Sequence, residues 1–328
     1  MQTDSAPTYP HPGIPQGPYA AHELVTSGLG FPEGPVALPD GSVLVVEIEQ
    51  GCVTRILPDG TKAVAARTGG GPNGAAVGPD GAIYVCNNGG FEWLREPGLL
   101  RPGGQPAHYK GGSIQRVDIV TGKVETLYDS CNGHLLHGPN ELVFDKHGGF
   151  YFTCNGKRRE REVDRGGVFY ALPDGSSIRE VIYPIPFPNG VGLSPAEDTL
   201  YVAETETGRL WKFEITAPGV VKNLPYPSPS GGTYVWGSGQ YQRLDSLKVE
   251  ADGRICVATL VRGGISSVRP DGTGEEYVQL SDRTTTNVCF GGNDMRTVWA
   301  TLSATGRLVK LRWPRAGLKL NFQDIAKY

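Results

Sequence analysis

A chain of 328 residues that is 38% hydrophobic can bury a sizeable core, in one large domain or two ordinary ones. Its formal charge of -3, from 31 basic and 34 acidic residues, argues against a nucleic-acid groove or an anionic membrane surface as main partner. The 47 glycines and 26 prolines favour a fold of many turns over a helical one.

The opening MQTDSAPTYPHPGIPQGPYA, residues 1–20, has no apolar stretch and no basic start, and reads as a proline-rich arm rather than a signal peptide. Residues 21–328 read as one domain, in which no run approaches membrane-spanning length. The run HELVTSG, His22 to Gly28, has strand character. FPEGPVALPDGSVLVVE follows from Phe31: a polar residue, an apolar strand, a Pro-Asp-Gly turn and a second apolar strand. The same order returns as PNGAAVGPDGAIYVCN from Pro72, PNELVFDKHGGFYFTCN from Pro139 and PNGVGLSPAEDTLYVAET from Pro188. It returns twice more, as LDSLKVEADGRICVAT from Leu244 and TNVCFGGNDMRTVWAT from Thr286. Two further strand-like runs follow each pair, as in GVFYALPDG and GRLWKFEI. Such repetition predicts an all-β fold, a six-bladed β-propeller. HELVTSG is then expected to supply the outer strand of the last blade and to close the ring.

The lead polar residues are Glu33, Asn73, Asn140, Asn189, Asp245 and Asn287. Each begins an innermost strand, so all six converge on one end of the central channel. The loops 88–111, 130–139, 155–166 and 226–243 share that face, which is where function is expected. The insertion Phe91 to Gly111 is expected to form a wall or lid there. A ring of carboxylate and amide oxygens in a narrow channel suits a hard divalent cation. Ca²⁺ fits best; Mg²⁺, Mn²⁺, Zn²⁺ and Fe²⁺ are further candidates, and the absence of histidine from the ring counts against a dedicated zinc site. Asn and Asp also cap turns and strand ends, and for Asn73 and Asn287 the two readings stand level.

Other motifs carry less. His134 and His137 favour a wall position over metal ligation, with His137 close enough to Asn140 to line a pocket. The run KRRERE, Lys157 to Glu162, reads as a solvated loop. TGGGPNG lacks the lysine of a phosphate loop, and no G-x-S-x-G elbow occurs. The six cysteines are scattered without a C-x-x-C pair, so a reducing, cytoplasmic location is expected.

From about Gly30 to Trp313 the chain resembles the gluconolactonase, senescence-marker (SMP-30, regucalcin-like) and luciferin-regenerating-enzyme family of six-bladed propellers. Diisopropyl fluorophosphatase and the staphylococcal Drp lactonases are more distant relatives. The resemblance rests on FPEGPVALPDG, FPNGVGLSPAEDTLYVAET, TTNVCFGGND and the aspartate of RLDSLKVEADGRICVAT. It implies that Glu33, Asn189 and Asp245 hold one divalent metal at the central channel. Asn140, in GPNELVFD, would contact substrate or complete the metal's shell. The chain departs from sugar-lactone members at Gly138, where they carry arginine, and at Glu141, where Asp is common. The loops instead offer Phe91, Trp93, Tyr109, Tyr234, Trp236 and Tyr241, which suit a more apolar or aromatic ester.

The expected function is a metal-dependent lactonase, with Asp245 as the catalytic group. Asn140, Asn73, His137, Trp93 and Trp236 are the expected substrate contacts. A phosphotriesterase-like hydrolase and a non-catalytic binding propeller with a structural ion are the alternatives. The expected partner is a small-molecule lactone or ester, with no nucleic acid, membrane or obligate protein partner.

Overall fold

In a computed structural model of the chain, residues 18–328 are described, so the proline-rich arm lies outside the described residues except for its end. Six antiparallel sheets, five of four strands and one of five, stand around a central axis, with the innermost strand of each paired to the strand that follows it in sequence. This is an all-β, six-bladed β-propeller. Among the described residues the only helical element is a 3₁₀ turn, Gln323–Ile325. No helix is long and apolar enough to cross a membrane.

Blade 1 starts with Pro32–Ala37 and returns as Val43–Glu47. The matching pairs are Pro72–Val77 with Ile83–Asn87, Pro139–Phe144 with Phe150–Cys154, and Pro188–Leu193 with Thr199–Glu204. Blades 5 and 6 start with Arg243–Val249 paired to Ile255–Leu260, and Thr285–Gly291 paired to Thr297–Leu302. The innermost strands pack one against the next until blade 6 meets blade 1. Inner strands buried on both faces read as continuous apolar runs, which is why the repeats stand out in the sequence. Glu23–Thr26 pairs antiparallel with Arg307–Arg312 and closes blade 6, as the HELVTSG run predicts.

Blade 4 differs from the sequence expectation. Thr233–Gly237, read as part of a loop, pairs with Arg209–Ala217 and is the outer strand of that blade. Trp236 therefore sits opposite Leu210 and packs with Leu244 in the apolar layer between blades 4 and 5. It is a core residue rather than a pocket wall.

The C-terminal segment was not anticipated either. It bonds to the rim opposite the lead residues and touches every blade. Leu318 N donates to Val249 O, Gln323 Nε2 to Ala37 O and Phe290 O, and Lys327 N to Gly81 O. Asn321 Nδ2 donates to Phe144 O and to Glu197. The segment thus covers the lower end of the channel, leaving the other end as the way in.

Its root is a buried acid. Glu250 is 0% exposed and accepts hydrogen bonds from Trp313 Nε1 at 3.0 Å, Ser267 Oγ at 2.7 Å and the Arg315 guanidinium. Burial alone would push its carboxyl up, but Arg315 and these donors outweigh that and hold it below the ordinary carboxylate value. A depressed pKa means that the stabilisation is complete above the unfolded value, about 4.3, and is lost as pH falls through the folded one. Glu250→Gln is expected to lower the unfolding free energy by about 2–3 kcal/mol at pH 7. The gap to wild type should narrow below about pH 4, and denaturant titrations at both pH values check this.

Candidate functional site

The open end of the channel holds a pocket of about 250 Å³. Five of the six lead positions supply Glu33, Asn73, Asn140, Asn189 and Asp245 to its floor. Their convergence has a local cause. Every innermost strand carries a register irregularity beside its lead residue, at 33/36, 72/75, 139/142, 188/191, 244/247 and 285/287, and in blades 1 to 5 it falls at or just after that residue. A bulge breaks the two-residue alternation and re-aims side chains toward the axis. Glycine after the lead residue lets adjacent strands approach. A Cβ on Gly34, Gly74 or Gly190 would lie 2.6, 2.4 or 2.5 Å from neighbouring backbone.

The sixth lead residue behaves differently. In blade 6 the irregularity precedes Asn287 instead of following it, and Thr286 takes the place on the pocket. Asn287 is 0% exposed and lies below the floor. Its Nδ2 donates to Glu33 Oε2 at 2.7 Å and to Glu141 Oε2 at 2.6 Å, tying two carboxylates together. Glu33 Oε2 also accepts from Gly34 N.

Three acids therefore share the channel. Burial, then the charge of Glu141, pushes Glu33 up to about 7. Burial, then the charge of Glu33, holds Asp245 well above its ordinary value. One cation, Lys248, approaches from below and pairs with Glu141 at 3.4 Å. Among the described residues no ion pair reaches Glu33 or Asp245. Asn189 Nδ2 donates to Thr205 Oγ1 at 3.1 Å, which fixes the orientation of that amide.

A second tier surrounds the floor. Ile48, Asn88, Asn155 and Thr205 each directly follow the second strand of blades 1 to 4, and Leu260 ends that of blade 5. Above them the insertion between the second and third strands of blade 2 forms a hairpin, Trp93–Glu96 with Leu99–Pro102, and Phe91, Pro102 and Gln105 reach the pocket. It is an ordered wall, as expected of residues 91–111. Trp93 itself stands behind, against Phe31 at 5.3 Å and Phe91 at 6.0 Å. His137 also stays outside the lining; its Nδ1 is 2.8 Å from Asp164, and its carbonyl accepts from Tyr109 Oη.

The KRRERE run corrects the sequence reading most sharply. Lys157 is 2% exposed and lines the pocket. Asp164 accepts Lys157 N and binds the Arg159 guanidinium, which pins the loop and keeps Arg159 outside. The lysine chain then turns inward, with Nζ 4.2 Å from the Phe91 ring centre and 5.2 Å from that of Tyr109. Arg158 and Arg243 at the rim share Glu206.

Residues 31–304 match the model of the SMP-30/gluconolactonase/LRE-like region. The chain belongs to this family. It is 25% identical over 319 residues to the gluconolactonase of Zymomonas mobilis, covering 88% of this chain and 80% of that protein. It is 29% identical over 235 residues to lactonase drp35 of Staphylococcus haemolyticus, covering 71% of this chain and 64% of that one. Among solved structures, regucalcin from Agrobacterium tumefaciens, described as calcium-binding, superposes with a TM-score of 0.69 at 17% identity, covering 94% of this chain and 98% of that one. At that identity the likeness bears on the fold. Among the described residues of this chain, no three His, Cys, Asp or Glu side chains group so as to hold a metal by themselves. Any oxygen cage at the floor must include the amides.

Asn287→Asp is nearly isosteric, yet it removes two donated hydrogen bonds and sets a fourth acid among three. It is expected to cost the metal-free protein about 2–4 kcal/mol at pH 8. The cost should shrink at pH 5, where Glu33, its carboxyl raised to about 7 by burial and by Glu141, is protonated. Denaturant unfolding at both pH values gives the comparison.

Proposed function

We propose that the protein is a divalent-metal-dependent hydrolase of lactones. The carrying observation is that Glu33 and Asp245, buried and without a cationic partner among the described residues, face one pocket together with Asn140 and Asn189. Two carboxylates and two amide oxygens make a donor set that fits Ca²⁺ and similar hard cations. Metal binding would reverse the upward shifts and keep both acids ionised. Family membership and relatives named gluconolactonase and lactonase support the reaction type.

Glu33, Asn140, Asn189 and Asp245 would hold the cation, with Thr205 orienting Asn189. When bound, the cation supplies charge stabilisation for the acyl oxygen and acidifies nearby water. Asp245 is the group that takes the proton of the attacking water. Asn73 and Asn140 orient the lactone by hydrogen bonds from their amides. Phe31, Phe91, Phe187 and Leu260 exclude bulk water and pack against the ring. Water adds to the acyl carbon, the ring C–O bond breaks, and the released alkoxide takes up a proton to give a hydroxy acid.

Stripping with a chelator should abolish hydrolysis across a panel of γ- and δ-lactones, and one of Ca²⁺, Mg²⁺, Mn²⁺ or Zn²⁺ should restore it. A phosphotriester in the same panel separates the two hydrolase readings. Metal-free protein that still opens lactones at the full rate would overturn the proposal.

Asp245→Asn keeps an oxygen ligand of the same shape and removes the base. It is expected to retain part of its metal and to lose turnover by about 10²-fold or more. Elemental analysis beside steady-state kinetics distinguishes a lost base from a lost ligand.

A further inference from the structure

Blade 2 faces blade 5 across the channel, so the wall above Asn73 lies opposite Asp245. Asn88 and Asn155 stand on that wall, where the second strands of blades 2 and 3 end, and Lys157 follows two residues later. All three line the pocket, and none has a part in the floor. We propose that Asn88, Asn155 and Lys157 form a subsite for a carboxylate carried by the substrate beyond its lactone ring. The proposal rests on the lactonase reading for its reaction, but the binding it describes does not.

The side chains are partnered in a way that leaves this role open. Lys157 Nζ donates to Gly90 O at 2.7 Å and lies 3.5 Å from Asn88 Oδ1. An ammonium carries three donors. Among the described residues no acid stands within ion-pair reach of Lys157; Asp164 takes its backbone N–H and is occupied by Arg159 and His137. The faces of Phe91 and Tyr109 give the charge only partial relief.

Asn88 is 3% exposed. Its Oδ1 accepts Gly90 N at 2.8 Å, which fixes the amide, and its Nδ2 is buried with no partner. Asn155 Oδ1 is likewise buried with no partner. Two N–H donors, one of them on a cation, match the two oxygens of a carboxylate. The acceptor on Asn155 matches a neighbouring hydroxyl. An alkyl group or methyl ester in the same place would leave buried donors and a buried charge unsatisfied, which is costly.

Burial pushes the Lys157 amine down to about 7, opposed by Cys154 and Asp164. Around it, Tyr109 is raised by burial, and His137 and Arg159 are engaged with Asp164. The charged form therefore prevails below about pH 7 and is lost above it. Preference for an acidic substrate should fall as pH rises from 6 to 9, while turnover of a neutral lactone should not follow that trend.

The test compares 5-oxotetrahydrofuran-2-carboxylate with its methyl ester in the metal-loaded enzyme. Wild type should show the lower KM for the acid at pH 6.5. Lys157→Met should raise that KM by about 10- to 100-fold and leave kcat and the ester nearly unchanged. Asn88→Asp, which hands Lys157 an internal counter-ion, should abolish the same preference, and melting curves verify that both variants fold. Equal loss on acid and ester, or no loss on either, overturns the subsite. Calorimetric titration with 2-hydroxyglutarate, the ring-opened acid, runs alongside. Binding by wild type that weakens at least 10-fold in Lys157→Met supports the subsite even if no lactone is opened, an outcome that would sink the lactonase reading alone. Equal affinity in both proteins, or none in wild type, overturns the subsite whatever the kinetics of the lactone.

Discussion

Six strands that begin around one axis bring their first residues to one channel mouth, and here Glu33, Glu141 and Asp245 put three acids into that space. Two like charges 4 Å apart repel by about 4 kcal/mol at an effective dielectric constant of 20. Desolvation adds to this. The channel meets the cost by three routes. Asn287 gives both amide protons to carboxylates, Lys248 comes up from blade 5 to Glu141, and Glu33 and Asp245 hold protons more tightly than exposed acids do. What remains is a pair of carboxylates at the open end with no cation of their own among the described residues. The proposed metal answers that remainder, and the pocket exists because water or ligand must be able to reach it.

Glycine decides where the third acid can be. In blades 1, 2 and 4 the lead residue is followed by Gly34, Gly74 and Gly190, each pressed against the backbone of the next blade. In blade 3 that position is Glu141. Its Oε1 would meet a Cβ on Gly74 at 3.0 Å, so the glutamate fills space that glycine elsewhere leaves to the backbone. Lys248 is its charge partner, supplied from a strand more than a hundred residues away in the chain. Packing and charge at the floor are therefore one problem, solved jointly by blades 3, 5 and 6.

Much of this was legible in the sequence because repetition amplifies weak signals. A single apolar run beside Pro-Asp-Gly says little, but six in order define blades, and the stray HELVTSG then has only one edge left to join. The lead ring followed from the same count. Asn287 did not, because the bulge of blade 6 falls one step earlier and Thr286 inherits its place. Trp236 was read by composition, and the strand pairing that buries it against Leu210 depends on a partner far away in sequence. Lys157 was hidden by its neighbours. Alternating charges look solvated unless one knows that Asp164 folds back to hold the loop. The C-terminal segment follows the last repeat and has no periodicity, so nothing local announced that it would meet all six blades.

A second position repeats along the chain. The residue that closes or directly follows the second strand of blades 1 to 5 also returns with the repeat: Ile48, Asn88, Asn155, Thr205, Leu260. Geometry gives it the tier above the lead residues, since a strand that leaves the channel mouth ends beside the strand that enters it. The two tiers are under different constraints. The floor must balance charge among touching groups, so a change at one blade demands a change at another. The upper tier is spaced more widely around the pocket and is free to vary blade by blade. Here it is polar on blades 2 to 4 and apolar on blades 1 and 5, where Phe31 and Leu260 continue the dry side. A substrate whose reacting bond sits over the floor is then oriented by the asymmetry above it, with its polar end toward Asn88, Asn155 and Thr205. Specificity can change within such a scaffold without disturbing the charge balance on which the floor depends.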